Sequence, residues 1–265
     1  MLDAAGDKEG YTKAAQKLKT RREKYKAYCK QNGLGTQLER TQVYGFDRSQ
    51  SSKATWAARK AGTHNVKGND LVFNKISGQK EIEKSLKAEF NNEYSNFTKT
   101  FGELTTVKGL ETQTYMGRGV FGSYSNNSGI ITLYGVGGKD GKSFMQKAAL
   151  QHYKDGDWST KNYMHSFRHE LGHAWQKQLS EADPNYSVKI KKIQNMKNDF
   201  WNSLTSSPEY ATMNLRKEQG KVLSAYGLGE KYDIDELISE SVSEYLNGKP
   251  RIFAKNVIDI LLEKG

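Results

Sequence analysis

Apolar residues recur every three to four positions along much of the chain, a pattern that predicts amphipathic helices. The pattern is clearest in residues 80–101, where Ile82, Leu86, Phe90 and Tyr94 stand four apart. Further helices are predicted at about 160–180, 187–203, 211–223, 235–247 and 252–263. Near the start of the chain the pattern predicts a lysine-rich helix and then a shorter element, at 11–31 and 37–46.

Residues 115–138 follow a different pattern, in which glycines punctuate short aromatic or β-branched runs. Residues 130–134, IITLY, form the clearest predicted strand, and the polar stretch at 126–129 leads into it. We expect this strand to present an edge to an extended peptide by β-augmentation. The order of elements predicts an α+β fold, with a small sheet followed by a helical C-terminal half.

The first third of the chain differs from the rest in charge. Residues 1–80 hold 17 Lys/Arg against 7 Asp/Glu, whereas residues 81–265 hold 24 against 23. The polar, glycine-interrupted stretch that ends near residue 70 is typical of a linker. We therefore predict two parts, a basic helical connector at 1–69 and a folded domain at 70–265. Any affinity for nucleic acid is expected from residues 1–65, which carry no recognisable binding motif.

Simple features of the sequence exclude some classes of protein. No run approaches the roughly 18 consecutive apolar residues of a membrane helix, so no membrane partner is expected. The start of the chain is acidic and lacks the apolar core of a signal peptide. It resembles a boundary within a longer protein, which leaves secretion open. Cys29 is the only cysteine, which excludes an internal disulfide and a cysteine-based zinc site.

Candidate chemistry is concentrated in residues 169–173, HELGH, within the helix predicted at about 160–180. Histidines four apart on a helix share one face, so His169 and His173 can hold one zinc ion at about 2.1 Å. Glu170 then stands beside the open coordination position, where the general base of a hydrolase belongs.

Other residues of the same predicted helix carry structural expectations. Glycine is costly in mid-helix, so Gly172 is expected to allow another element to approach closely. Ser159 and Thr160 are expected to cap the start of the helix. His165 stands eight residues before His173, roughly 12 Å along the axis, which is too far to share one ion. We therefore expect His165 at the surface, or beside a ligand rather than on the metal.

A hydrolytic zinc site normally takes three protein ligands, so one more is needed. The metzincin pattern would place a histidine at residue 179, which is leucine. The helix predicted at 235–247 instead offers Glu236, Glu240 and Glu244 at helical spacing. A cation between these carboxylates would remove their mutual repulsion. The competing interpretation is a solvated acidic face.

Two motifs together resemble the gluzincin metallopeptidases. Residues 169–173, HELGH, followed by Glu236-x-x-x-Glu240, are similar to this group in its widest sense. Residues 223–227, LSAYG, ahead of that glutamate pair resemble its lethal-factor-like branch. The resemblance covers about residues 160–250. It implies a zincin-like fold, a Zn²⁺ cofactor and a peptide or protein substrate.

The same resemblance implies a role for each matching residue. The implied zinc ligands are His169, His173 and Glu236. Glu240 would accept a hydrogen bond from a ligand histidine and so hold it in place. Tyr226 would stabilise the oxyanion, with Tyr232 as its rival for that role.

Part of the N-terminal segment resembles a second family. Residues 25–34 and 39–46 are similar to the C-terminal part of tailed-phage minor capsid proteins, some of which continue into a zinc-peptidase-like module. We therefore interpret the chain as a zinc metallopeptidase at the end of a phage minor capsid or head-associated protein. The expected partners are other head proteins, and the expected location is the virion or the bacterial cytoplasm during assembly.

Two other functions stay open on the sequence. One is a non-catalytic virion component in which zinc only stabilises the fold. The other is a nucleic-acid-binding module built on the basic N-terminus. Metal analysis combined with a broad peptide digest distinguishes both from a peptidase.

Overall fold

A computed structural model describes residues 73–75, 84–113, 120–137 and 140–263. Contacts within the chain divide it into two units, Met1–Ser52 and Lys53–Gly265, and every described residue lies in the second. The connector predicted at 1–69 therefore lies outside the described residues, as do its two predicted helical elements and the candidate nucleic-acid segment.

The described residues form an α+β fold in which helices predominate, as predicted. The strands are β1 (Phe73–Lys75), β2 (Gly109–Thr112), β3 (Gly122–Ser125) and β4 (Ile130–Leu133). The helices are α1 (Lys84–Phe101), α2 (Gly141–Asp155), α3 (His165–Ala182), α4 (Tyr186–Thr205), α5 (Leu215–Val222), α6 (Ala225–Leu228), α7 (Ile234–Tyr245) and α8 (Ile252–Leu262). The helix predicted at 211–223 is shorter than expected, because a separate 3₁₀ turn at Tyr210–Thr212 precedes α5.

The four strands pair in the order β1-β2-β4-β3. β1, β2 and β4 run parallel, and β3 pairs antiparallel with β4, so that Tyr124 lies opposite Ile131. The strand predicted at 130–134 is confirmed, but the expectation that it offers an edge is wrong. β4 has a partner on both sides, and its residues are buried. β3 is the edge strand on this side of the sheet, and it is only half-buried.

Helix α3 joins the sheet to the other helices. It packs against β3 and β4 and against α1, α4 and α7. Its core-facing side chains are fully or almost fully buried, and they include Phe167, Leu171, Ala174 and Trp175. The closest neighbour is α7, because a β-carbon added to Gly172 would lie 2.8 Å from Ser239 Cα. The expected close approach at this glycine is therefore confirmed.

The start of α3 differs from the prediction. The helix begins at His165, and the Asn162 side-chain carbonyl accepts a hydrogen bond from the backbone N–H of Met164 just before it. Ser159 and Thr160 lie too far upstream to cap the helix, so that expectation is wrong. The residues between them and α3 form a separate turn, and Ser159 is used elsewhere in the fold.

Two anchors fix α3 and α7. In α3, the Arg168 guanidinium makes a buried double hydrogen bond to Glu93 of α1, at 2.7 and 3.0 Å. In α7, the Asp233 side chain caps the first turn by accepting the backbone N–H of Glu236. No helix among the described residues is long and apolar enough to cross a membrane.

Candidate metal centre

Three ligand atoms converge where α3 faces α7. His169 Nε2 lies 3.2 Å from His173 Nε2 and 3.0 Å from Glu236 Oε2. His173 Nε2 lies 3.8 Å from the same carboxylate oxygen. Two ligands that each bind a tetrahedral zinc at about 2.1 Å stand about 3.4 Å apart. These three atoms have the spacing and the chemistry of a metal-ligand set, so the residues could bind a metal ion.

The three side chains are open on one side. His169 is nearly buried, whereas the side chains of His173 and Glu236 keep 22% and 25% of their surface exposed. They line a groove of about 500 Å³ together with residues of β3 and α3. The exposed side of the ligand set therefore faces a space large enough for part of a peptide.

Hydrogen bonding favours a positive charge inside this ligand set. Burial lowers the pKa of His169, but hydrogen bonds to Glu236 and Glu240 outweigh burial and raise the pKa to about 10. Burial and the neighbouring His169 lower the pKa of His173 to about 4. Burial opposes ionisation of Glu236, yet the hydrogen bond from His169 leaves its pKa below the usual value. A cation is thus favoured between His169 and Glu236, whether that cation is a proton or a metal ion.

Glu240 lies behind the ligand set and is completely buried. Its Oε1 lies 3.1 Å from His169 Nδ1 and 3.0 Å from His165 Nε2. Its Oε2 accepts the backbone N–H of Ser159 at 2.7 Å. Burial opposes the charge of this carboxylate, but His165 and His169 together hold its pKa well below the ordinary value. The two carboxylates therefore contact different ring nitrogens of His169, Glu240 at Nδ1 and Glu236 at Nε2.

The expectation that His165 lies at the surface is wrong. Its side chain is buried between α3 and α7 with a relative exposure of 2%, and burial lowers its pKa. The Trp158 indole stacks on the imidazole at 4.3 Å between ring centroids. The alternative expectation, that His165 lies beside a ligand rather than on the metal, fits the structure better, because His165 contacts the same Glu240 oxygen as His169.

Glu244 does not belong to a solvated face. It is buried and accepts hydrogen bonds from the backbone N–H, Nε and Nη2 of Arg251 at 2.6–2.8 Å. The same guanidinium also donates to backbone carbonyls at Ser159, Gly220 and Leu223. Glu240 is buried too, so the interpretation of these carboxylates as a solvated acidic face is wrong. Glu244 lies away from the metal ligands and supports the fold.

Glu170 lies at the floor of the groove, against the edge strand. A β-carbon added to Gly122 of β3 would lie only 2.6 Å from Glu170 Oε1. The backbone N–H of Tyr124 donates a hydrogen bond to the same carboxylate. Burial nevertheless raises the pKa of Glu170 to about 7. A carboxylate with such a pKa can accept and release a proton near neutral pH.

Tyr226 and Tyr232 lie together beside the ligand set. The Tyr226 ring lies 6.0 Å from the His169 ring and 4.3 Å from the Tyr232 ring. Tyr226 lines the groove and is 37% exposed, whereas Tyr232 lines an adjoining cavity. The loop between α6 and α7, which carries Tyr232, is held by buried Lys197 of α4. The Lys197 ammonium donates to the carbonyls of Gly229 and Tyr232 at 3.0 and 2.7 Å. Of the two tyrosines, Tyr226 therefore has the better access to the groove.

Several residues of the site were not predicted from the sequence. Gly122 and Tyr124 form the groove wall, and Ser159 holds Glu240 through both its N–H and its hydroxyl. Only Gly122 had a signal in the sequence, since it belongs to a run of closely spaced glycines.

Comparisons of the chain with protein-family models, curated proteins and solved structures found no match.

Proposed function

We propose that the chain is a zinc-dependent metallopeptidase with a zincin-like domain and an open site. The observation that carries the proposal is the convergence of His169 Nε2, His173 Nε2 and Glu236 Oε2 on one side of a groove that Glu170 also lines. Two histidines, one carboxylate and a free approach are the usual donor set of a hydrolytic zinc site. The resemblance to gluzincins in residues 160–250 supports the same assignment.

Each residue has a distinct chemical role in this proposal. Zinc held by the three ligands would polarise the substrate carbonyl and lower the pKa of a water bound at the open position to about 7. The Glu170 carboxylate accepts a proton from the attacking water and later returns it to the leaving amine. Its hydrogen bond from Tyr124 N–H keeps it aimed into the groove. The Tyr226 hydroxyl donates a hydrogen bond to the developing oxyanion.

Edge strand β3 is the proposed docking site for the extended substrate. β3 carries Gly122, Ser123 and Tyr124 along the groove, and its outer side has no partner strand in the described sheet. An added peptide strand would run past Glu170, which lies against Gly122. Backbone hydrogen bonds to an edge strand bind many sequences, so side-chain pockets would set the preference.

The partial exposure of the ligands argues against a purely structural zinc. Structural zinc sites are closed by four protein ligands, whereas this set has three and two of them are partly exposed. We keep the association with phage heads as part of the proposal. It rests on the resemblance of residues 25–34 and 39–46 to minor capsid proteins, and under it the activity would belong to the virion or to the bacterial cytoplasm during assembly.

Metal analysis and a peptide-library digest test the proposal together. The purified chain should carry about one zinc, and its cleavage of peptides should stop on chelation and return with zinc. Glu170→Gln should retain zinc and lose at least about 100-fold in turnover, because only the proton acceptor is changed. Glu209→Gln, at an exposed glutamate of the loop after α4, is the matched control. Full turnover in the Glu170 variant, or no zinc in the native chain, would contradict the proposal.

A further inference from the structure

His165 is a buried histidine outside the ligand set that no role above explains. It is the first residue of α3, one helical turn before His169, and it touches the carboxylate that His169 touches. Its second ring nitrogen, Nδ1, lies 3.0 Å from the hydroxyl of Ser243 on α7. Both nitrogens of this imidazole therefore have defined partners.

Glu240 fixes the position of one proton on each of the two imidazoles that contact it. Glu240 is ionised, and an ionised carboxylate has no proton to donate, so the nitrogens that face Oε1, on His165 and His169, both carry hydrogen. His165 then has its proton on Nε2 and a lone pair on Nδ1, which accepts from the Ser243 hydroxyl at 3.0 Å; the backbone carbonyl of His165, at 3.3 Å, is the other acceptor of that hydroxyl. His169 keeps its proton on Nδ1, so a metal ion that displaces the second proton from Nε2 would meet a lone pair directed at the proposed metal position. One carboxylate oxygen thus sets the orientation of two imidazoles.

Glu240 depends on His165 to stay ionised and in the position that orients the His169 ring. A fully buried carboxylate is strongly unfavourable in its ionised form unless hydrogen-bond donors surround it. The side chain has three donors, of which two are the imidazole N–H of His169 and the backbone N–H of Ser159. Without His165, Oε1 would be free to rotate away from His169 or to take up a proton. Either change would remove the acceptor that fixes the His169 ring.

We propose that His165 is a positioning residue for the metal centre, which acts by holding Glu240 so that His169 presents Nε2 to the ion. The inference rests on the proposed zinc site. It assigns His165 no direct contact with the metal, although His165, His169 and Glu240 also lie close enough to bind a separate ion. Unlike the ligand set at Glu236, this group is buried at all three residues and leaves no exposed side, and the backbone N–H of Ser159 already uses the other carboxylate oxygen.

Three substitutions at one position separate a hydrogen-bond role from packing. His165→Gln places an amide N–H where Nε2 stands, whereas His165→Asn places its amide near Nδ1 and away from Glu240. His165→Leu keeps an apolar side chain of related size and has no donor. Zinc affinity, measured by competition with a chromophoric chelator, should fall about 10–100-fold in the Leu and Asn variants. The Gln variant should stay within about threefold of the native chain.

Ser243→Ala provides a milder test if the Leu and Asn variants fail to fold. It removes the donor to His165 Nδ1 and should weaken zinc binding by a few fold. Ser241→Ala is its matched control, since Ser241 is equally buried on the same helix but donates to the Leu237 carbonyl. In the zinc-loaded native protein, ¹⁵N spectra should show His165 protonated on Nε2 and His169 protonated on Nδ1.

The possible failures are distinguishable. A native chain that binds no zinc would overturn the proposed function and this inference together. Native zinc affinity in the Leu variant, or in Ser243→Ala, would overturn the positioning role alone. Equal losses in the Gln and Leu variants would assign His165 to packing instead. Two zinc ions per native chain, with one lost in the Leu variant, would make His165 a ligand and would also overturn the inference.

Discussion

Gly172 of α3 and Ser239 of α7 are in such close contact that no side chain fits between them. A β-carbon at Gly172 would lie 2.8 Å from Ser239 Cα and 3.1 Å from its hydroxyl. The contact brings the helix of His169 and His173 against the helix of Glu236. The separation of these two helices therefore decides whether the three ligand atoms can share an ion.

Gly172→Ala should destabilise the protein although alanine favours helices. The gain in helix propensity is about 1 kcal/mol, whereas forcing the helices apart costs about 1–3 kcal/mol and also separates the ligands. We expect a lower midpoint in urea unfolding and a measurable loss of zinc affinity. Asn195→Ala, at an exposed position of α4, gains helix propensity without a steric conflict, so it should raise stability slightly and leave zinc affinity unchanged. An alanine variant with higher stability and native zinc affinity would refute the steric argument.

Glu236→Ala and Glu244→Ala should have opposite consequences. Glu236→Ala removes a proposed ligand and should abolish most zinc binding while the metal-free fold persists. Glu244→Ala leaves the buried side of Arg251 without its carboxylate and should cost about 2–3 kcal/mol of unfolding free energy. Its zinc affinity should stay near native below the unfolding transition.

Glu218→Ala is the control for this pair, because it breaks only an exposed ion pair with Lys221. Its expected effect on stability is within about 0.5 kcal/mol. Chemical unfolding and equilibrium dialysis with zinc measure the two quantities separately. Loss of zinc in Glu244→Ala under conditions where it remains folded would show that this residue belongs to the centre.

The metal-free protein should lose stability as the pH rises from 7 to 10. His169 has a pKa of about 10 in the folded chain, above the ordinary histidine value of 6.5. The folded chain therefore keeps a proton that the unfolded chain releases, so this contribution is complete below pH 6.5 and is lost as the pH approaches 10. Urea unfolding at several pH values measures the slope. In His169→Gln the slope should be much smaller, and an unchanged slope would contradict the assignment.

Tyr226→Phe and Tyr232→Phe should differ in their kinetic effects. Burial, followed by the nearby Glu236, raises the pKa of Tyr226, so its hydroxyl stays protonated and can donate. If it stabilises the oxyanion, its loss should lower kcat roughly 100-fold with little change in KM. Tyr232→Phe should have a small effect, since its ring packs against Tyr226 and its hydroxyl is not placed along the groove. Equal losses in kcat would assign the oxyanion role to the pair.

Local spacing in the sequence predicted the part of the site that depends on one helix. Residues 169–173 form a helix, and a four-residue interval brings His169 and His173 onto one face without help from the rest of the fold. Gly172 was informative for a similar reason, since a glycine inside a helix indicates a neighbour. The positions of the long helices followed from their apolar spacing.

Contacts between distant segments could not be predicted in the same way. Glu236 meets His169 across 67 positions, and whether Glu240 or Glu244 also faced the site depended on how α7 is rotated. Local spacing does not reveal the pairing order of strands, so the sequence predicts an edge at β4 and gives no indication of β3 as the edge strand. Burial of His165 depends on Trp158 and Ser243, which approach it from two different segments.

The long-range hydrogen bonds of Arg251 affect when the candidate metal centre can form during protein synthesis. Arg251 donates to the carbonyl of Ser159, which precedes it by 92 positions, and Ser159 in turn holds Glu240. A ribosome releases His169 and His173 well before Glu236, and all of them before Arg251. Until then the growing chain has two histidines on a helix, without their carboxylate or its support. A metal-dependent activity at this centre would consequently be absent from the nascent protein and would begin only after the last of these segments had folded into place.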